Sequence, residues 1–185
     1  MGRLFARWIA IFLVVACWGA LAASTPQHFK LPGHGTLILN VPDSWRSDEK
    51  QSEAGPPTIG FGAKRGAPFV VLITAVWGMT PGAVVPDDAK IRATVAAAAK
   101  SAESQSVEGT LLIQDFQGTS GHGYYFKATD KAPPPGEFKY LTQGMIRTGA
   151  VALTFTILTN DGQEGVAKAA LELIRGAVQQ SLDSV

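Results

Sequence analysis

Hydrophobic and polar positions alternate most regularly over residues 151–159. Val151, Leu153, Phe155 and Ile157 fall on one side of an extended chain, and Ala152, Thr154, Thr156 and Leu158 on the other. A period of two, rich in β-branched residues, predicts a half-buried strand. Residues 138–146 predict its partner through Tyr140, Leu141 and Met145. Thr148-Gly149 between them suits a tight turn, because glycine takes positive φ without steric cost. The period then changes to that of a helix running to about residue 182. Val166, Ala170, Leu173, Ile174 and Ala177 form an apolar stripe, while Lys168, Glu172, Arg175 and Gln179 face away. Asn160 or Asp161 is expected to cap this helix, and Glu164, three residues after Asp161, completes a capping-box pattern. A one-sided helix must cover apolar surface, and the hairpin is nearest to it.

Upstream the pattern is less regular. Residues 24–30 read as a polar lead-in and 31–35 as a turn-rich stretch. Leu37, Leu39 and Val41 mark a strand over 36–41, which Pro42-Asp43-Ser44-Trp45 ends, since proline cannot continue a ladder. Residues 46–57 read as a polar loop and 58–63 as a short glycine-broken strand. The unbroken apolar run 69–77 predicts a central strand covered on both faces. After a connection over 78–86, Asp87 or Asp88 opens a helix to about Ser104 with Ile91, Val95, Ala98, Ala99 and Ala102 on one side. Small residues there allow close approach to a sheet. Strands are expected at 111–117 and 124–129. Pro133-Pro134-Pro135 then stiffens the loop 131–137 into an extended polyproline form.

The order is three strands, a helix, four strands, a helix. It predicts an α+β domain: an antiparallel sheet of six or seven strands covered by two main helices. The Val41-Pro42-x-x-Trp45 end of an early strand, the order of elements and the final strand-strand-helix resemble the PsbP-like superfamily. That group also takes in the Ran-binding Mog proteins and small bacterial envelope proteins of the DcrB and LpqN kind. The resemblance spans roughly 31–180. It implies an α/β/α sandwich and a non-catalytic accessory or binding role, and it carries over no catalytic residue.

The first 22 residues stand apart from this pattern. Arg3 and Arg7 precede an apolar run over 8–18, and Ala20-Leu21-Ala22 is a small-x-small cleavage site. Together they read as a secretory signal, too short an apolar run for a membrane span. Val14-Val15-Ala16-Cys17 also resembles a lipobox, in which Cys17 would carry a lipid anchor. Either way the chain is expected to be exported, to a bacterial periplasm, with a single domain over 31–182. Removing Arg3 and Arg7 from the 16 basic residues leaves 14 against 15 acids, a net charge of −1. That balance offers no electrostatic hold on nucleic acid or an anionic membrane. Cys17 is the only cysteine of the 185 residues, so the domain itself has no disulfide and no thiol nucleophile or ligand.

Candidate chemistry is sparse. Gly33-His34-Gly35 and Gly121-His122-Gly123 place two imidazoles on turns. His34 and His122 would make a metal or hydrolytic centre if they met, with Asp115 or Asp43 beside them. Ser120 precedes His122 by two residues, but Thr119-Ser120-Gly121 lacks the Gly-x-Ser-x-Gly pattern of a nucleophile elbow. Gly60-Phe61-Gly62 lacks the rest of a phosphate loop. No cofactor is expected. For a surface that holds a protein partner or a small ligand, Trp45, Trp77, Tyr124 and Pro134 in the stiff loop are the candidates.

Overall fold

A computed structural model describes residues 23–50, 56–77 and 85–181. The expected leader, with Cys17 and the cleavage site, lies outside the described residues. The strands are β1 (Ser24–Leu31), β2 (Gly35–Pro42), β3 (Trp45–Lys50), β4 (Thr58–Ala63), β5 (Val70–Val76), β6 (Gln114–Gln117), β7 (His122–Thr129), β8 (Tyr140–Thr148), β9 (Val151–Thr159) and β10 (Val178–Gln180). The helices are α1 (Asp88–Ala102), between β5 and β6, and α2 (Glu164–Arg175), between β9 and β10. An antiparallel seven-stranded sheet runs β3-β4-β5-β9-β8-β7-β6, and β1-β2-β10 form a separate small sheet.

The large sheet separates two apolar clusters. On one face Val71, Ile73, Ala75, Val151, Leu153, Phe155 and Ile157 pack beneath Leu173 and Ile174 of α2 and Leu37, Leu39 and Val41 of β2. On the other, Phe126, Ala128, Met145 and Ala152 pack beneath Ile91, Val95 and Ala99 of α1. The fold is therefore the expected α+β sandwich. The hairpin β8–β9 turns at Gly149, whose φ is 62°. Asp87 caps α1, its carboxylate accepting from the Lys90 amide at 2.8 Å.

Several expectations are corrected. The polar lead-in is β1, paired along its whole length with β2. Only Phe29 and Leu31 of it are buried, so hydrophobic alternation barely marks it. The polar loop begins with β3, an edge strand that buries Trp45 alone. Exposed charge along such an edge discourages pairing with another chain. The last helix stops at Arg175, and Val178–Gln180 pairs with β2. β2 therefore belongs to the small sheet, and β3 completes the seven strands. β5 is covered on one face only: Val70, Thr74 and Val76 are half-buried on the other, and Leu72 is 39% exposed. The reason is the placement of α1, which lies over β7 and β8.

The cap of α2 also differs. Gln163 occupies the cap position, buried, with no side-chain bond to the helix amides. Its Oε1 accepts from the Asn160 amide at 2.7 Å, and its Nε2 donates to the carbonyls of Ala67 at 3.3 Å and Pro68 at 3.0 Å. Asp161 instead accepts from Lys139 and Tyr140, and Asn160 Oδ1 from the Lys139 amide. The proline loop is not extended throughout. The Glu137 amide donates to the Pro134 carbonyl at 3.0 Å, and Gly136 has φ 88°. Pro135-Gly136 are thus the two central residues of a type II turn, which glycine in third place favours.

Candidate ligand groove

The α2 side of the large sheet is not fully roofed. α2 and the small sheet cover its β9 side. Over β8 and β7 the face continues as a groove of about 650 Å³. Hollows of about 280 Å³ on the β3–β5 face and 180 Å³ beside Phe138 are smaller. Only the first falls within the usual range of ligand sites, roughly 300–1,000 Å³.

Two periodicities build it. On the sheet side Tyr140 and Thr142 of β8 stand beside Thr159 of β9 and Lys127 and Thr129 of β7, positions two apart that share a face. On the helix side Glu164, Ala167, Lys168, Leu171, Glu172 and Arg175 form one stripe at spacings of three and four. This second stripe adjoins the one that packs into the core, so α2 offers one flank to the protein and another to the groove.

Its polar groups divide into fixed and free. Glu108 accepts from the Thr129 amide at 3.0 Å and from its hydroxyl at 2.7 Å. Burial works to raise its carboxyl pKa, but these donors hold it below the usual range. Arg175 Nη1 donates to Glu172 at 3.0 Å, and its guanidinium lies over the Phe116 ring, 5.6 Å from the centroid. Arg175 Nε is buried without a hydrogen-bond partner. Tyr140 donates to Asp161 at 2.6 Å; this bond, with those from Lys139, lowers the Asp161 carboxyl. Lys127, Lys168 and Glu164 take part in no ion pair among the described residues. Thr142 and Thr159 are largely buried residues of the floor, and among the described residues their hydroxyls, open to the groove, make no protein hydrogen bond.

The residues singled out by sequence lie elsewhere. Trp45 is 5% exposed, with its ring against Phe61 and Phe69. Trp77 is half-buried at the end of β5, its ring 4.6 Å from that of His34. Tyr124 packs in the α1 cluster beside His122, at 4.8 Å between rings. Pro134 is exposed at the turn of its loop. The structure does not bring His34 and His122 together. His34 lies with Trp77, which packs on the α2-side core, whereas His122 shares the opposite face with Tyr124.

His122 has Asp88 Oδ2 at 3.7 Å from Nδ1 and Asp115 Oδ2 at 3.5 Å from Nε2. The two carboxylates meet opposite edges of the ring, so one ion cannot take all three side chains. Ser120 donates to the Ala177 carbonyl at 3.4 Å. Among the described residues no three His, Cys, Asp or Glu side chains are grouped to hold a metal, and no helix is long and apolar enough to cross a membrane.

No protein-family model matches the chain, and no curated protein matches it by sequence. Solved structures do match. LpqN of Mycobacterium tuberculosis, involved in cell envelope biogenesis, aligns at a TM-score of 0.54 and 18% identity, over 84% of this chain and 89% of its own. Cyanobacterial PsbP (CyanoP) from Synechocystis sp. aligns at 0.54 and 11% identity, over 90% and 99%. The fold is PsbP-like. A protein from Bacteroides thetaiotaomicron is also similar, at 0.48 and 17% identity over 80% of this chain, which spans 46% of that protein's length. The resemblance expected from Val41-Pro42-x-x-Trp45 and the final strand-strand-helix holds at the level of fold. The groove had no such signal: its floor alternates like any strand, and its wall is a helix flank. The one hint was Thr142 and Thr159 on the buried side of their strands.

Proposed function

We propose that this chain is an exported, non-catalytic accessory domain that binds its ligand or partner in the groove between α2 and β7–β8. The observation that carries the reading is the groove itself: about 650 Å³ lined by Leu171 and Ala167, with lysines and hydroxyls that no protein group satisfies. A rigid sheet floor and a helix wall hold these groups in place before any ligand arrives, which limits the ordering cost of binding.

Export is supported by the leader pattern of residues 1–22 and by similarity to an envelope-biogenesis protein. Cys17 would then decide between release into the periplasm and a lipid anchor. Fractionation of cells expressing wild type and Cys17→Ser separates the two, since only an anchored form leaves the membrane fraction on substitution.

The binding reading is tested with the fluorescent apolar anion anilinonaphthalene sulfonate. Wild type is expected to enhance its emission saturably. Ala167→Trp, which fills the groove from α2, is expected to abolish the enhancement without lowering the melting temperature. Equal enhancement by both proteins would overturn the reading.

A further inference from the structure

The chemistry of the groove narrows its occupant, on the reading that it is the binding site. We infer that it receives an extended peptide segment of a partner protein, with a basic and an acidic residue two positions apart.

Charge is the first argument. The lining holds Lys127, Lys168 and Arg175 against Glu108, Glu164 and Glu172. Equal numbers of each sign do not favour a simple anion or cation. Of these, Glu108 is held by Thr129, and Glu172 and Arg175 hold each other. The charges left are Glu164 near one end, and Lys168 with Lys127 further along. Lys127 stands opposite Thr142 in the strand register. Glu164 and Lys168 are one helical turn apart, a rise of about 6 Å. Two residues of an extended chain advance about 6.6 Å. Side chains at alternate positions of a strand lying along α2 therefore meet Glu164 and then the lysines: a basic residue first, an acidic one two places on.

Hydrogen bonding is the second. Thr142, Thr159 and the Asn160 side chain line the groove. An acyl chain would desolvate such groups without replacing their bonds to water, which is unfavourable. A peptide brings a carbonyl or amide at every residue. Size agrees as well. The stripe from Glu164 to Arg175 rises about 16 Å, the length of about five extended residues.

The test is selection from a phage-displayed library of random heptapeptides on the immobilised domain, followed by fluorescence-polarisation titration of the enriched peptides. We expect Lys/Arg-x-Asp/Glu, in either direction, to be enriched. We expect the double variant Lys127→Glu/Lys168→Glu to lose at least tenfold in affinity, and a peptide with lysine in place of the acidic residue to regain it. No enriched pattern, or enriched peptides that bind the double variant as well as wild type, would overturn the inference. If anilinonaphthalene sulfonate is still excluded by Ala167→Trp while no peptide is selected, the groove remains a ligand site and the peptide alone is wrong. The circular dichroism spectrum of each variant guards against loss of fold.

Discussion

Gln163 ties the start of α2 to the β4–β5 connection, 95 and 96 residues away in sequence, and its removal has a calculable cost. Its side chain is buried and makes three hydrogen bonds: to the Asn160 amide, and to the Ala67 and Pro68 carbonyls of the β4–β5 connection. In Gln163→Ala all three are lost, together with the buried side chain that ties the start of α2 to the exposed Ala67-Pro68 segment. At about 1 kcal/mol net for each bond, the loss is about 3 kcal/mol. For a domain of this size that lowers the melting temperature by about 6–12 °C. Urea unfolding followed by tryptophan fluorescence measures it, with an unchanged m-value showing that the unfolded state is unaffected. Glu164→Ala is the matched control, because the capping box that would make Glu164 important is absent; its cost should stay below about 0.5 kcal/mol. A loss under about 1 kcal/mol in Gln163→Ala, or equal losses in the two variants, would refute the assignment of the α2 start.

Three further predictions probe the sheet and its charges. Leu72→Ala is expected to cost less than about 1 kcal/mol and Ile73→Ala about 2–5 kcal/mol by the same urea assay, since adjacent residues face solvent and core. Gly144→Ala should cost about 3 kcal/mol, because a Cβ there falls on the Tyr124 carbonyl oxygen and 2.5 Å from Phe155 Cζ, and backbone cannot yield. The Asp161 carboxyl is lowered by the Tyr140 hydroxyl and Lys139, so its contribution is present above the ordinary carboxylate pKa and fades as pH falls through the folded value. Asp161→Asn should therefore lower the melting temperature more at pH 7 than at pH 3, and an equal deficit at both would contradict this.

Legibility in the sequence followed how strongly a face is buried. β9 and the core stripe of α2 were readable because apolar residues recur at the period of each, two along the strand and three to four along the helix, and β8 followed as the near neighbour of β9 across a Thr-Gly turn. β1 and β3 were not, since one or two buried side chains each give no period; hydrogen bonding to β2 and β4 makes them strands. The end of α2 was overrun because Ala177 continued the apolar pattern although Gly176 had closed the helix. The groove lies deeper still. It joins a strand pair to a helix more than twenty residues on, and no residue in it is unusual by itself. Aromatic residues attracted attention first. Yet Trp45 packs on Phe61 and Phe69, while the groove is lined by threonines, lysines and glutamates.

Binding at this groove is most directly tested by titrating the ¹⁵N-labelled domain with the selected peptide and following amide shifts. The account predicts the largest changes at Lys127, Thr129, Thr142, Ala167, Lys168 and Leu171, with Gly60 and Leu72 on the opposite face unmoved. Shifts concentrated on β3–β5, or in the loop around Pro134, with the groove silent, would contradict it.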